Sequence, residues 1–111
     1  MKVFISQPMN GKSEQEILKE RELLIKQAKE RFASYRDIEI IDNYFKHFEL
    51  SGGNLGLKFL AKSIELLADA DVAIFANGWE FARGCRIEHL CAKEYGIDII
   101  YSRVNDDEWR N

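Results

Sequence analysis

Glu88 stands four residues after Gly84, about one turn inside the segment ARGCRIEHLCAKEYG, which reads as a helix. A carboxylate at that point, flanked by Ile87 and Leu90, has the chemistry of a nucleophile or general base facing a cleft. Spacing alone favours a solvent-facing glutamate, the commonest fate of that residue type. The preceding stretch, Ala76-Asn77-Gly78-Trp79-Glu80-Phe81-Ala82-Arg83-Gly84, combines glycine for close backbone approach with polar side chains for hydrogen bonding. It feeds a helix N-terminus, whose free N–H groups favour a phosphate or carboxylate, and Arg83 and Arg86 reinforce that preference. A second loop of the same character, Ser6-Gln7-Pro8-Met9-Asn10-Gly11, follows the first apolar run. Pro8, the single proline, has a fixed φ and no N–H to donate, which suits it to stiffening that loop against a ligand or simply to ending a strand. Neither loop matches G-x-G-x-x-G or a Walker A pattern, so dinucleotide and P-loop readings lack support.

Other candidates carry less. Cys85 and His89 are four apart on one helix face, but no third or fourth metal ligand accompanies them, and no metal is expected. His47 lies among Tyr44, Phe45 and Phe48, an aromatic loop more suited to covering a core than to ligation. Asp69 and Asp71 read as a helix end and the polar start of a strand.

The elements that must position these residues follow from the apolar pattern. Lys2–Ser6 reads as a buried strand. Ser13-Glu14-Gln15-Glu16 is a capping box opening a helix to about Ala33, with Ile17, Leu18, Leu24, Ile25, Ala28 and Phe32 as its inward stripe. Ile38–Ile41 is a second strand, and 42–54 a long loop. Leu57, Leu60, Ala61, Ile64, Leu67 and Ala68 mark a second helix, leading into a third strand, Asp71–Phe75. A third helix spans about Ala82 to Tyr95, with Gly96 as its C′ residue, and Ile97–Tyr101 is a fourth strand. Alternating strands and helices imply a single α/β domain over residues 1–111, doubly wound and flavodoxin-like or Rossmann-like. Its sheet is expected to be mostly parallel, four- to five-stranded, with helices on both faces. In such sheets ligands bind outside the carboxyl ends of the strands, where both loops lie.

Composition bounds the function. The 111 residues are 46% hydrophobic and 32% charged, with net charge −3, an ordinary globular balance that disfavours nucleic-acid polymers and membrane surfaces as partners. No apolar run reaches the length of a membrane span and none suits a signal-peptide core, so the expected address is the cytoplasm. Cys85 and Cys91, six apart, read as reduced thiols.

Three blocks, FISQPMNG, LLADADVAIFANGWE and ARGCRIEHLCAKEYGIDII, resemble the nucleoside 2-deoxyribosyltransferase-like superfamily, and more closely a compact, phage-associated branch of unknown function. They cover about two-fifths of the chain, in order. The resemblance implies a nucleoside or nucleotide as small-molecule ligand, no cofactor, and a homodimer or higher homo-oligomer in which a neighbour completes the pocket. The tail carrying Trp109 is a candidate for that contact. By motif position Glu88 corresponds to the glutamate that attacks C1′ of a 2-deoxyribose in catalytic relatives, and Ser6 to Gly11 to the segment packed around base and sugar. The site implied is Glu88 with Ser6, Gln7, Pro8, Met9, Asn10, Gly11, Ser63, Asn77, Gly78, Trp79, Glu80, Arg83, Gly84 and Arg86.

The chain departs from the catalytic pattern at three places. Ser63 stands where relatives carry an aspartate, Phe4 where many carry a tyrosine, and Ala82 where a serine or aspartate is common. Two readings follow: an N-glycosidase or deoxyribosyltransferase with altered supporting chemistry, or a non-catalytic binding or assembly module on the same fold.

Overall fold

A computed structural model describes residues 1–44 and 52–102. The elements run β1 (Lys2–Ser6), α1 (Glu14–Arg31), β2 (Glu39–Ile40), α2 (Leu55–Leu67), β3 (Val72–Phe75), α3 (Arg83–Glu94) and β4 (Asp98–Tyr101), with a 3₁₀ turn at Trp79–Phe81 before α3. The four strands are all parallel, in the order β2-β1-β3-β4. The chain steps from β1 to one side for β2, then returns across β1 to build β3 and β4 on the other. Crossovers of constant hand then put α1 on one face of the sheet and α2 and α3 on the opposite face.

Side-chain alternation along the strands divides the core accordingly. Val3, Ile5, Val72 and Ile74 pack with Leu24 and Ala28 of α1. Phe4, Ala73 and Phe75 pack with Leu67 of α2 and Ala92 of α3. β1 and β3 are central and covered on both sides, which is why VFIS and VAIF contain almost no polar residue. Among the described residues, no helix is long and apolar enough to cross a membrane.

Local signals account for most boundaries. The Ser13 hydroxyl accepts from the Glu16 N–H, and the Ser13 N–H donates to the Glu16 carboxylate, forming the expected capping box. α1 stops two residues short of the expected Ala33, with Phe32 as its cap. Gly96 takes φ +74° directly after the Tyr95 cap, as a left-handed C′ residue should.

Two expectations need correction. β2 is a two-residue strand, not the four of Ile38–Ile41, because it pairs only along β1 at the sheet edge. The apolar repeat that marks α2 does not all turn inward. Leu57, Ala61 and Ala68 face solvent, and Ser63 and Leu67 are its buried residues. Leu18 of α1 is exposed too, and the buried line of that helix runs Ile17, Arg21, Leu24, Ala28. The aromatic loop residues Phe45, His47 and Phe48, and the tail with Trp109, lie outside the described residues.

Candidate functional site

The strand order reverses between β1 and β3, and in open α/β sheets the crevice beyond such a reversal is where ligands bind. Ser6 ends β1 opposite Phe75 of β3. Two residues after Phe4, it shares Phe4's face and points towards α2 and α3. There its Oγ donates to Glu88 Oε1 at 2.6 Å, while Ser63 Oγ, from α2, donates to Glu88 Oε2 at 2.5 Å. A strand end and two helices thus bring together residues that are 82 and 25 positions apart in sequence. Glu88 is 8% exposed, so it is not the solvent-facing glutamate that spacing alone favoured.

Burial raises the Glu88 carboxyl above its usual range, and the hydrogen bonds from Ser6 and Ser63 pull it part of the way back. Either hydroxyl removed should therefore raise it further. Ser6→Ala and Ser63→Ala are each expected to move the Glu88 titration to higher pH, readable by carbon-13 NMR of the labelled carboxyl. An unmoved midpoint in both variants would mean that the hydroxyls do not hold the charged form. Cys85, one turn before Glu88, is hydrogen-bonded to Ser6, and its thiol is pushed up to about 11 by burial. It is a neutral thiol at ordinary pH, not a nucleophile.

The loop after β3 is fixed by an aromatic stack. Trp79 lies flat on His89, centroids 3.9 Å apart, and His89 Nε2 is 2.8 Å from the Tyr101 hydroxyl. Phe75 meets the His89 ring edge-on at 5.0 Å. Burial and Lys93 hold His89 below its usual range, with Glu80 opposing. His89 therefore ties the turn to β4. Among the described residues, no group of three or more His, Cys, Asp or Glu side chains could hold a metal ion.

The two loops singled out in the sequence adjoin. A Cβ built on Gly78, which has φ +85°, would sit 3.9 Å from Pro8 Cγ. Of the remaining candidates, Met9, Asn10, Gly11, Glu80, Arg83 and Arg86 are exposed, and Asn77, Trp79 and Gly84 are half-buried. Arg86 Nη1 donates to the Glu80 carbonyl at 3.2 Å, bracing the turn. α3 starts at Ala82 with no side-chain cap, which leaves its first N–H groups without that satisfaction.

Gln7 is placed differently from its neighbour. It projects to the α1 face, where its Nε2 donates to the Ile17 carbonyl at 3.1 Å and to the Glu20 carboxylate at 3.0 Å. Two buried residues that sequence reading missed stand with it. Arg21 Nη2 donates to the Ile41 carbonyl at 3.1 Å, and Asn43 Nδ2 donates to the Ile5 carbonyl at 2.7 Å. Gln7 Oε1, Arg21 Nη1 and Asn43 Oδ1 are buried without a hydrogen-bond partner. Such atoms cost about 1–3 kcal/mol each when left unmade. Arg21 was detectable: it is four residues after Ile17 and three before Leu24, a charge on the inward stripe. Asn43, in a loop, had no such signal.

Fold and site together define a small doubly wound α/β domain with a buried, hydroxyl-held carboxylate at its switch point. The chain belongs to the family described as a domain of unknown function, DUF4406, which matches residues 1–101. No curated protein and no solved structure shows a significant match to it.

Proposed function

We propose that this protein binds a nucleoside or nucleotide at the carboxyl ends of β1 and β3, and that Glu88 attacks C1′ of a 2-deoxyribose. The observation that carries the reading is the buried Glu88 carboxylate, oriented by one hydroxyl on each oxygen. It is supported by the resemblance of the three sequence blocks to the nucleoside 2-deoxyribosyltransferase-like superfamily.

In the proposed reaction a Glu88 oxygen gives up its serine hydrogen bond and forms a bond to C1′. The bond from C1′ to the base nitrogen breaks, and its electron pair leaves with the base. Water or another base then displaces Glu88, as in a retaining glycosidase. Arg83, Arg86 and the uncapped start of α3 suit a 5′-phosphate. Ser63 cannot deliver a proton as a carboxylic acid would, so the departing base leaves as its anion and takes its proton from water.

A second reading has one observation in its favour. Both oxygens of Glu88 are already hydrogen-bonded, an arrangement that equally suits a fixed acceptor for a ribose hydroxyl in a non-catalytic binding module. Incubation with the four 2′-deoxynucleosides and their 5′-monophosphates, followed by chromatography for free base, separates the two. Released base is the expected result. Ligand-induced stabilisation without release supports the binding module; neither response across the panel overturns both.

A further inference from the structure

Glu20 of α1 takes no part in the proposed chemistry, yet it receives both ends of a loop that borders the site. Gln7 follows Ser6, which holds Glu88, and its Nε2 donates to Glu20 Oε1 at 3.0 Å. At the far end of the loop, Lys12 Nζ donates to both oxygens of the same carboxylate, at 3.3 and 3.4 Å. The Lys12 N–H also closes a turn on the Met9 carbonyl at 3.2 Å, with Gly11 at φ +77° inside it. One carboxylate thus draws Gln7 and Lys12 together and ties both to α1. Between them Pro8 to Gly11 form an arch, with Met9, Asn10 and Gly11 exposed.

Two observations put the arch beside Glu88. The Pro8 ring adjoins Gly78 in the loop after β3, with Cγ 3.9 Å from where a Cβ there would sit. The Cys85 thiol, raised chiefly by burial and bonded to Ser6, also feels the charges of Glu88, Glu20 and Lys12 together. The clamp and the candidate nucleophile therefore act on one thiol at the same end of the sheet.

The start of α1 is already secured by the Ser13–Glu16 box and its inward stripe. The contacts of Glu20 are thus surplus to the helix and fall on the loop. The Glu20 side chain is only 14% exposed, so solvent and salt screen the Lys12 pair less than a surface pair. An arch already held in one shape costs a ligand less to order. Once freed, only molecules with the arch in place bind well, and affinity falls by that fraction.

We propose that Glu20 is a positioning residue that sets ligand affinity by clamping the Pro8 to Gly11 arch at the strand ends. This rests on the nucleoside reading above and adds the residue that governs affinity at the same site.

Two measurements on the intact chain test it. Amide hydrogen exchange at Lys12, with no nucleoside present, is expected to quicken by at least ~10-fold in Glu20→Ala. For the 2′-deoxynucleoside of the four that the parent cleaves fastest, the same variant should raise KM at least ~5-fold and leave kcat within about threefold. Where the parent binds without release, Kd by calorimetry takes the place of KM. Glu20→Gln still accepts from Gln7 but has no charge for Lys12, and its KM is expected between the two. Unchanged exchange at Lys12 would overturn the clamp, whatever the ligand. Faster exchange with an unmoved KM would overturn the role in affinity and leave the nucleoside reading standing. A fall in kcat as large as the rise in KM would overturn it too, because the loss would then reach Glu88 through the fold. A parent that neither binds nor cleaves any of the four overturns the nucleoside reading, and the assigned ligand with it, even if exchange quickens. Should Glu20→Ala fail to fold, Lys12→Met, which removes only the ion pair, replaces it with the same expected directions at the same amide.

Discussion

Glu88→Gln is expected to abolish base release, by at least ~10³-fold, while leaving the protein at least as stable as the parent at pH 8. The rate loss follows from removing the nucleophile, a group whose loss is not made up by binding interactions elsewhere. The stability result follows from the sign of the Glu88 shift. Its carboxyl is raised on folding, so the native state holds that proton more tightly than the unfolded chain does. Its contribution to stability is therefore greatest below the unfolded value and is lost as pH rises through the folded one. Wherever its carboxyl is ionised the parent keeps a charge in a buried place, whereas glutamine keeps none, and the two serine hydroxyls can turn to serve it. Release retained at more than about a tenth of the parent rate would remove Glu88 from the reaction. A variant melting well below the parent at pH 8 would instead make the carboxylate a structural anchor. The same shift predicts that release in the parent falls on the acid side at a pH above the ordinary carboxylate range.

Phe4→Ala should produce the largest loss of stability, about 3–5 kcal/mol, lowering Tm by more than about 12 °C. Phe4 is 0% exposed in the central strand and packs in the cluster with Leu67, Phe75 and Ala92. Removing its ring would open a hole where β1, α2 and α3 meet. Those are the three elements that deliver Ser6, Ser63 and Glu88 to one another. Calorimetric melting gives the stability loss directly. A drop under about 1 kcal/mol would mean that the helices close over the gap and that the site has more freedom than its burial indicates.

The sequence was most legible where local chemistry and burial agree. VFIS and VAIF are apolar except for Ser6 because they lie between two helical layers, and that pattern alone reads as buried strand. The Ser13–Glu16 box and Gly96 are short-range signals, satisfied within a few residues of themselves. α2 was expected as a helix and is one, but LGLKFLAKSIELL carries more apolar residues than the packed face uses, so spacing could not say which of them turn inward. The inward face was decided by contacts with α3 and the sheet, which bury Ser63 and expose Leu57.

For the candidate site, the strand-end loops could be located from glycine placement and element order, but the partners of Glu88 could not. A hydroxyl 82 residues away is brought within 2.6 Å by topology, and nothing in the local pattern encodes that pairing. Arg21 stood in plain view as an interruption of an apolar stripe, but an arginine there reads first as a lapse in amphipathicity. Its meaning depends on Ile41, on a strand edge 20 residues away.

Ser6 and Gln7 are consecutive, and they face opposite sides of the sheet. Change in α2 and α3 reaches Glu88 directly, through Ser63 and through the helix that carries it, whereas change in α1 reaches the opposite corner through Gln7. The sheet separates two groups of buried side chains, Glu88 with its two serines on one face and Gln7, Arg21 and Asn43 on the other.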